Sequence, residues 1–158
     1  RIIAATIAQK LSELDAAHAA DYAKNLAAFQ AKLDAKMAEW QAKLAPYKGY
    51  ELIGYHNEWP YLMQFLGLTM SQFLEPKPGV EPSASHLQTV LSTLKATPAR
   101  MVLYAAYQDS RPSEWLSRNA AIPAVKIPFT VGGSEGANDL FGLFDDTLAR
   151  LLAAGAAR

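Results

Sequence analysis

His56 is the side chain of this sequence best placed to do chemistry. It lies in the segment YHNEWPY (55–61), directly after the short apolar run YELIG. An imidazole at such a position can pack, transfer protons or bind a metal ion. A catalytic zinc normally takes three protein ligands, and the acids that could assist His56 in this chain are Glu58, Glu135 and Asp139. If His56 binds a metal, further ligands must come from elsewhere.

The remaining polar residues form no recognisable catalytic motif. The sequence has no cysteine and no G-x-S-x-G motif, which removes thiolate chemistry and the common serine hydrolase pattern. His18 lies at a predicted helix break and His86 near a predicted helix start, and we expect both to be solvated and without partners. The spacing gives no reason for Glu58, Glu114 and Glu135 to meet. These patterns therefore give little support for a hydrolase.

A glycine-rich segment, TVGGSEG (130–136), raises the alternative of an anion site. It matches neither the P-loop nor the full G-x-G-x-x-G pattern, and it follows the last predicted strand. One interpretation is a flexible connection that ends in a helix cap at Asn138 or Asp139. The other is a flavodoxin-like domain that grips a phosphorylated ligand through residues 131–136.

The composition indicates one globular domain. Hydrophobic residues make up 51% of the 158, and 15 basic residues balance 15 acidic ones. Nothing in that balance favours nucleic acid as a partner. The chain opens at Arg1 within a helical pattern, which we interpret as the start of a fragment.

The hydrophobic periodicity predicts an α/β fold, with a parallel four-stranded sheet flanked by helices and preceded by a long helix. Residues 1–45 have helical spacing with a break near Asp15, and residues 46–158 form the α/β lobe. The predicted strands are 50–55, 69–75, 100–106 and 124–129. Helices are predicted between and after them, at 58–68, 85–96 with Ser85 as cap, 111–120 and 139–154. Their order in the sheet is not readable, but ligands of such sheets bind at the carboxyl ends of the strands.

Several segments in this order resemble the C-terminal half of the cluster A-I metal-binding proteins, the zinc and manganese solute-binding receptors of bacterial ABC transporters. The most specific are GYHNEWPYLMQFLGL after the first strand and the proline-rich FLEPKPGVEPSASHLQTVL. The likeness also includes MVLYAAYQDSRPSEWLS and VKIPFTVGG, and it extends over essentially the whole chain.

This resemblance implies that a metal ion, most simply zinc with manganese as the alternative, is held between two lobes. His56 would be one ligand, with Tyr55, Trp59 and Tyr61 fixing its backbone and excluding water. Residues 1–45 would be the linking helix, and an N-terminal lobe outside this sequence would supply two histidines. The partner would be an ABC permease in the cytoplasmic membrane, and the location periplasmic or lipid-anchored. Some receptors of this type are surface adhesins, which is a further alternative.

The chain departs from the family pattern after its last strand. Relatives carry an aspartate ligand there, whereas this sequence aligns Val131, which cannot coordinate a metal. The resemblance therefore leaves the fourth ligand open among water, Glu58, Glu135 and Asp139.

Overall fold

The structure is a computed structural model that describes residues 1–156, so the last two residues of the predicted lobe, 157–158, lie outside it. The chain divides into two compact units, of which the first is Arg1–Glu39 and the second begins at Trp40. Within residues 1–156, no helix combines the length and the apolar character needed to cross a membrane.

The first unit is helical, with the predicted break at Asp15. Helix α1 (Ile2–Leu14) ends there, and a short 3-10 turn leads into α2 (Ala19–Leu44). The Asp15 carboxylate accepts a hydrogen bond from the Tyr22 hydroxyl at 2.8 Å and lies 2.8 Å from Nδ1 of His18. The prediction that His18 has no partner is therefore wrong, because the turn places its ring beside the acid that ends α1.

The second unit contains the predicted parallel four-stranded sheet. Its strands are β1 (Glu51–Gly54), β2 (Thr69–Phe73), β3 (Val102–Ala105) and β4 (Ala124–Ile127), and every pairing is parallel. Their order across the sheet is β2-β1-β3-β4. The α/β prediction is thus confirmed, and the structure adds the order.

Four helices follow the strands as expected: α3 (Pro60–Leu66), α4 (Ala84–Thr93), α5 (Ser110–Ala120) and α6 (Leu140–Ala156). The cap of α4 lies two residues before the predicted one. Ser83, and not Ser85, accepts the hydrogen bond from the His86 backbone N–H, at 3.2 Å. Ser83 has the extended backbone that a capping residue needs, whereas Ser85 already lies inside the helix.

The core lies around the two central strands. All four residues of β3 are buried, which explains why this strand is a continuous apolar run without alternation. Leu87 of α4 and Leu116 of α5 belong to the same buried cluster as Val102. On α2, Trp40 stacks on Phe144 with ring centroids 4.8 Å apart, which attaches the end of α2 to α6.

Gly54, the last residue of β1, lies where no larger side chain fits. A Cβ there would approach the Met70 sulfur to 2.6 Å and the backbone oxygen of His56 to 2.9 Å. Met70 is flexible, but the His56 carbonyl is main chain and cannot move without displacing that residue. Glycine at this position therefore allows the chain to turn tightly from β1 into the segment that carries His56.

Gly54→Ala should consequently lower the free energy of unfolding by about 1–3 kcal/mol, the usual range for overpacking. Urea denaturation measures this loss, with Gln64→Ala on the exposed side of α3 as the control, for which about 0.5 kcal/mol or less is expected. Adding Met70→Ala should restore only part of the stability, since the contact with the His56 carbonyl remains. Equal stability of Gly54→Ala and the control would contradict the steric argument.

Candidate metal centre

The carboxyl ends of the four strands bring polar side chains from distant parts of the chain to one edge of the sheet. His56 follows β1, Glu75 follows β2, and Tyr107 and Gln108 follow β3. Val131 lies in the loop after β4. The sequence predicted this edge as the ligand-binding one, and the parallel pairing of all four strands places these residues there.

His56 pairs with Glu75, a residue that the sequence reasoning missed. Nδ1 of His56 lies 2.6 Å from a carboxylate oxygen of Glu75. The side chains are 30% and 15% exposed, so the contact is largely shielded from water. With Nδ1 occupied, Nε2 is the ring nitrogen left for a ligand. The available signal was the position of Glu75, an acid directly after a strand, but only the sheet order shows that β2 lies beside β1.

The backbone around this pair is held by hydrogen bonds to neighbouring elements. The Glu75 N–H donates to the Tyr55 carbonyl at 3.0 Å, which continues the β1–β2 ladder. Nε2 of His86 lies 3.0 Å from the carbonyl oxygen of Phe73, at the end of β2. The prediction that His86 is solvated without a partner is therefore wrong: α4 packs against β2 and carries the ring to that carbonyl.

Glu58 lies in the same segment as His56 and is bound through one of its two oxygens. Oε1 accepts hydrogen bonds from the Tyr107 hydroxyl and from Nε2 of Gln108, the latter at 2.6 Å. The hydrogen bond with Glu58, together with burial, raises the pKa of Tyr107 to about 12. Oε2 of Glu58 is buried and has no hydrogen-bond partner among the described residues. A buried carboxylate oxygen without a partner is costly, and a cation would satisfy it.

The other two acids considered from the sequence lie beyond β4. Glu135 is exposed, and its backbone carbonyl accepts a hydrogen bond from the Asn138 side chain at 2.9 Å. Oδ1 of Asp139 accepts from the Gly142 N–H at 2.6 Å and thereby caps α6, one of the two caps that the sequence suggested. Val131 is 45% exposed, and its side chain offers no donor atom.

The glycine-rich loop is closed by a hydrogen bond of its own and attached to α6 by a second one. The Gly132 N–H donates to the Ala137 carbonyl at 2.7 Å, and the Ser134 hydroxyl donates to Asp146 at 2.6 Å. Burial acts to raise the pKa of Asp146, but hydrogen bonds from Ser134 and Arg150 outweigh it and leave that pKa below its ordinary value. An ionised carboxylate against the loop disfavours a phosphate there.

Across residues 1–156, no group of three or more histidine, cysteine, aspartate or glutamate side chains could hold a metal ion. Of the three aromatic side chains expected to surround His56, Tyr55 is buried, Trp59 is half-buried and Tyr61 is 85% exposed.

A parallel α/β lobe with a histidine held at a strand end, preceded by long helices, is the architecture of one half of a cluster A-I metal-binding protein. The chain belongs to the family described as zinc-uptake complex component A, periplasmic (ZnuA), whose model matches residues 1–154. The family resemblance predicted from the sequence is confirmed.

Similar proteins agree with this assignment. The high-affinity zinc uptake system protein ZnuA of Brucella abortus (strain 2308) is 34% identical over 102 residues, which cover 65% of this chain and 30% of that protein. A crystal structure of ZnuA is 26% identical with a TM-score of 0.79, covering 96% of this chain and 56% of the other. The solute-binding protein FpvC of Pseudomonas aeruginosa, in complex with Mn²⁺, is 25% identical with a TM-score of 0.71, covering 96% and 57%. This chain thus spans little more than half the length of these solved structures.

Proposed function

We propose that this chain is the C-terminal part of a zinc-binding receptor of an ABC importer, in which the metal lies between two lobes. The observation that carries the proposal is the paired histidine: His56 is held at Nδ1 by Glu75 and keeps Nε2 for a ligand. Because the described residues hold no group of three ligating side chains, the other ligands come from a second lobe. The family to which the chain belongs supports this arrangement.

The proposed organisation follows the sequence prediction. Residues 1–45, which contain α1 and α2, are the linking helix, and residues 46–158 are the metal-binding lobe. An N-terminal lobe supplies two histidines, and the loaded receptor delivers its ion to a permease in the cytoplasmic membrane. The receptor accordingly works in the periplasm or from a lipid anchor outside that membrane.

Zinc is the proposed cargo because of the donor atoms. Imidazole nitrogen suits zinc, whereas manganese prefers carboxylate, carbonyl and water oxygens. A site with His56 and two further histidines therefore favours zinc, and manganese should bind more weakly. The cargo must also be released, and ligands divided between two lobes couple binding to a change in lobe geometry.

The fourth ligand is the part of the site that this sequence alters relative to its family. Val131 cannot coordinate, and Oδ1 of Asp139 is engaged in capping α6. Glu58 has the stronger structural support, because its Oε2 is buried and unpartnered among residues 1–156. Glu135 is exposed and reaches the site only if its loop moves. If neither Glu58 nor Glu135 binds the metal, water takes the position of the fourth ligand.

Calorimetry on the full-length protein tests the proposal. One Zn²⁺ should bind per protein molecule, and Zn²⁺ should displace bound Mn²⁺, because divalent zinc ranks well above manganese for nitrogen-containing sites. For a matched comparison of the two ions, the protein is incubated with a mixture of Zn²⁺ and Mn²⁺ and desalted. The amount of each bound metal is then measured. Preference for Mn²⁺, or no binding of either ion, would refute a zinc receptor.

A further inference from the structure

We infer that Glu75 is a positioning residue for metal binding, which holds the His56 ring with its proton on Nδ1 and the lone pair of Nε2 directed at the metal. The inference rests on the proposed function and adds a residue to it. Glu75 itself does not contact the ion in this arrangement. It acts through the imidazole.

The hydrogen bond between the two side chains determines the tautomer. An ionised carboxylate only accepts hydrogen bonds, so Nδ1 of His56, 2.6 Å from Glu75, must carry the proton. A neutral imidazole has one proton, and Nε2 is then left with its lone pair. A histidine without such a partner divides between two tautomers, of which only one offers Nε2 to a metal. Glu75 therefore selects the binding-competent form before the ion arrives.

The carboxylate is itself fixed by the segment EPKPG (75–79). The same oxygen that bonds His56 accepts the Gly79 N–H at 3.2 Å. Gly79 has a φ of +78°, a conformation that other residues adopt at a cost, and Pro76 and Pro78 restrict the chain between the two contacts. The proline-rich segment thus forms a turn closed on the Glu75 carboxylate.

The surroundings make this contact stronger than a surface ion pair. Because the Glu75 side chain is only 15% exposed, water competes weakly for its oxygens. Such outer partners of metal-binding histidines commonly change affinity by about 10- to 100-fold when removed. We expect an effect of that size for Glu75→Ala. Glu75→Gln keeps an accepting oxygen, so its affinity for the metal should fall much less.

Nitrogen-15 NMR of the metal-free 158-residue chain tests the tautomer directly. At about pH 8, where an ordinary histidine is neutral, His56 should show a protonated Nδ1 and a bare Nε2. Glu75→Ala should convert this signature to a mixture, and Glu75→Gln should retain it. Glu81→Ala, at an exposed acid of the same connection, is the control and should leave the signature unchanged. A proton on Nε2 in the unaltered chain overturns the inference even if Glu75→Ala does not fold.

Zinc titration of the full-length protein separates this inference from the proposed function. If His56→Ala abolishes tight binding while folded Glu75→Ala binds zinc normally, the positioning role is refuted and the receptor stands. If His56→Ala has no effect, the receptor proposal fails whatever the NMR shows. The inference is supported if His56→Ala and Glu75→Ala both lose zinc affinity. In addition, Glu75→Ala must show the mixture of tautomers, and Glu75→Gln must keep the proton on Nδ1.

Discussion

Replacing His56 with alanine in the full-length protein is expected to lower zinc affinity by more than about 100-fold. The reason is that the substitution removes a ligand outright, and loss of a mere hydrogen-bond partner of a ligand already costs about 10- to 100-fold. It also leaves Glu75 without the imidazole that it bonds at 2.6 Å. Competition with a chelator of known affinity measures the change.

His18→Ala is the matched control for this substitution. The His18 ring lies in the first unit, where it contacts Asp15 in an exposed turn, and its loss should leave zinc affinity nearly unchanged. Circular dichroism shows whether each variant keeps its helix content. The receptor proposal fails if folded His56→Ala binds zinc as tightly as the unaltered protein.

The same titration identifies the fourth ligand. Glu58→Gln and Glu135→Gln each keep the size of the side chain and weaken its ability to bind a metal. We expect the larger loss from Glu58→Gln, since Oε2 of Glu58 is the buried atom without a partner among the described residues. If neither variant changes affinity, water occupies the position that Val131 leaves open.

The second large effect concerns the 158-residue chain by itself. It should bind zinc at least about 100-fold more weakly than the full-length protein, because structural zinc sites use four protein ligands and open sites three. Residues 1–156 contain no such group. Calorimetry on both proteins under the same conditions measures the difference. Tight one-to-one binding by the isolated chain would show that the site does not need a second lobe.

The fold could be derived from the sequence because its signals are local. Two kinds of pattern depend only on residues near one another in the chain. One is the helical spacing before and after Asp15, and the other is the short apolar runs that form β1, β3 and β4. Alternation of strands and helices then implies a parallel sheet, since a parallel neighbour requires a crossover. His56 was identifiable for the same reason, as a histidine at the end of an apolar run.

Pairings between distant residues were decided only by the tertiary structure. The contact between His56 and Glu75 exists because β2 lies at the edge beside β1, and no local pattern encodes which strands are neighbours. The same applies to Glu58, whose partners Tyr107 and Gln108 lie about 50 positions further along the chain. It also applies to His86, which α4 carries to the end of β2. Sequence spacing thus placed His56 at the carboxyl-terminal edge of the sheet, whereas the order of the strands decided which side chains bond to one another there.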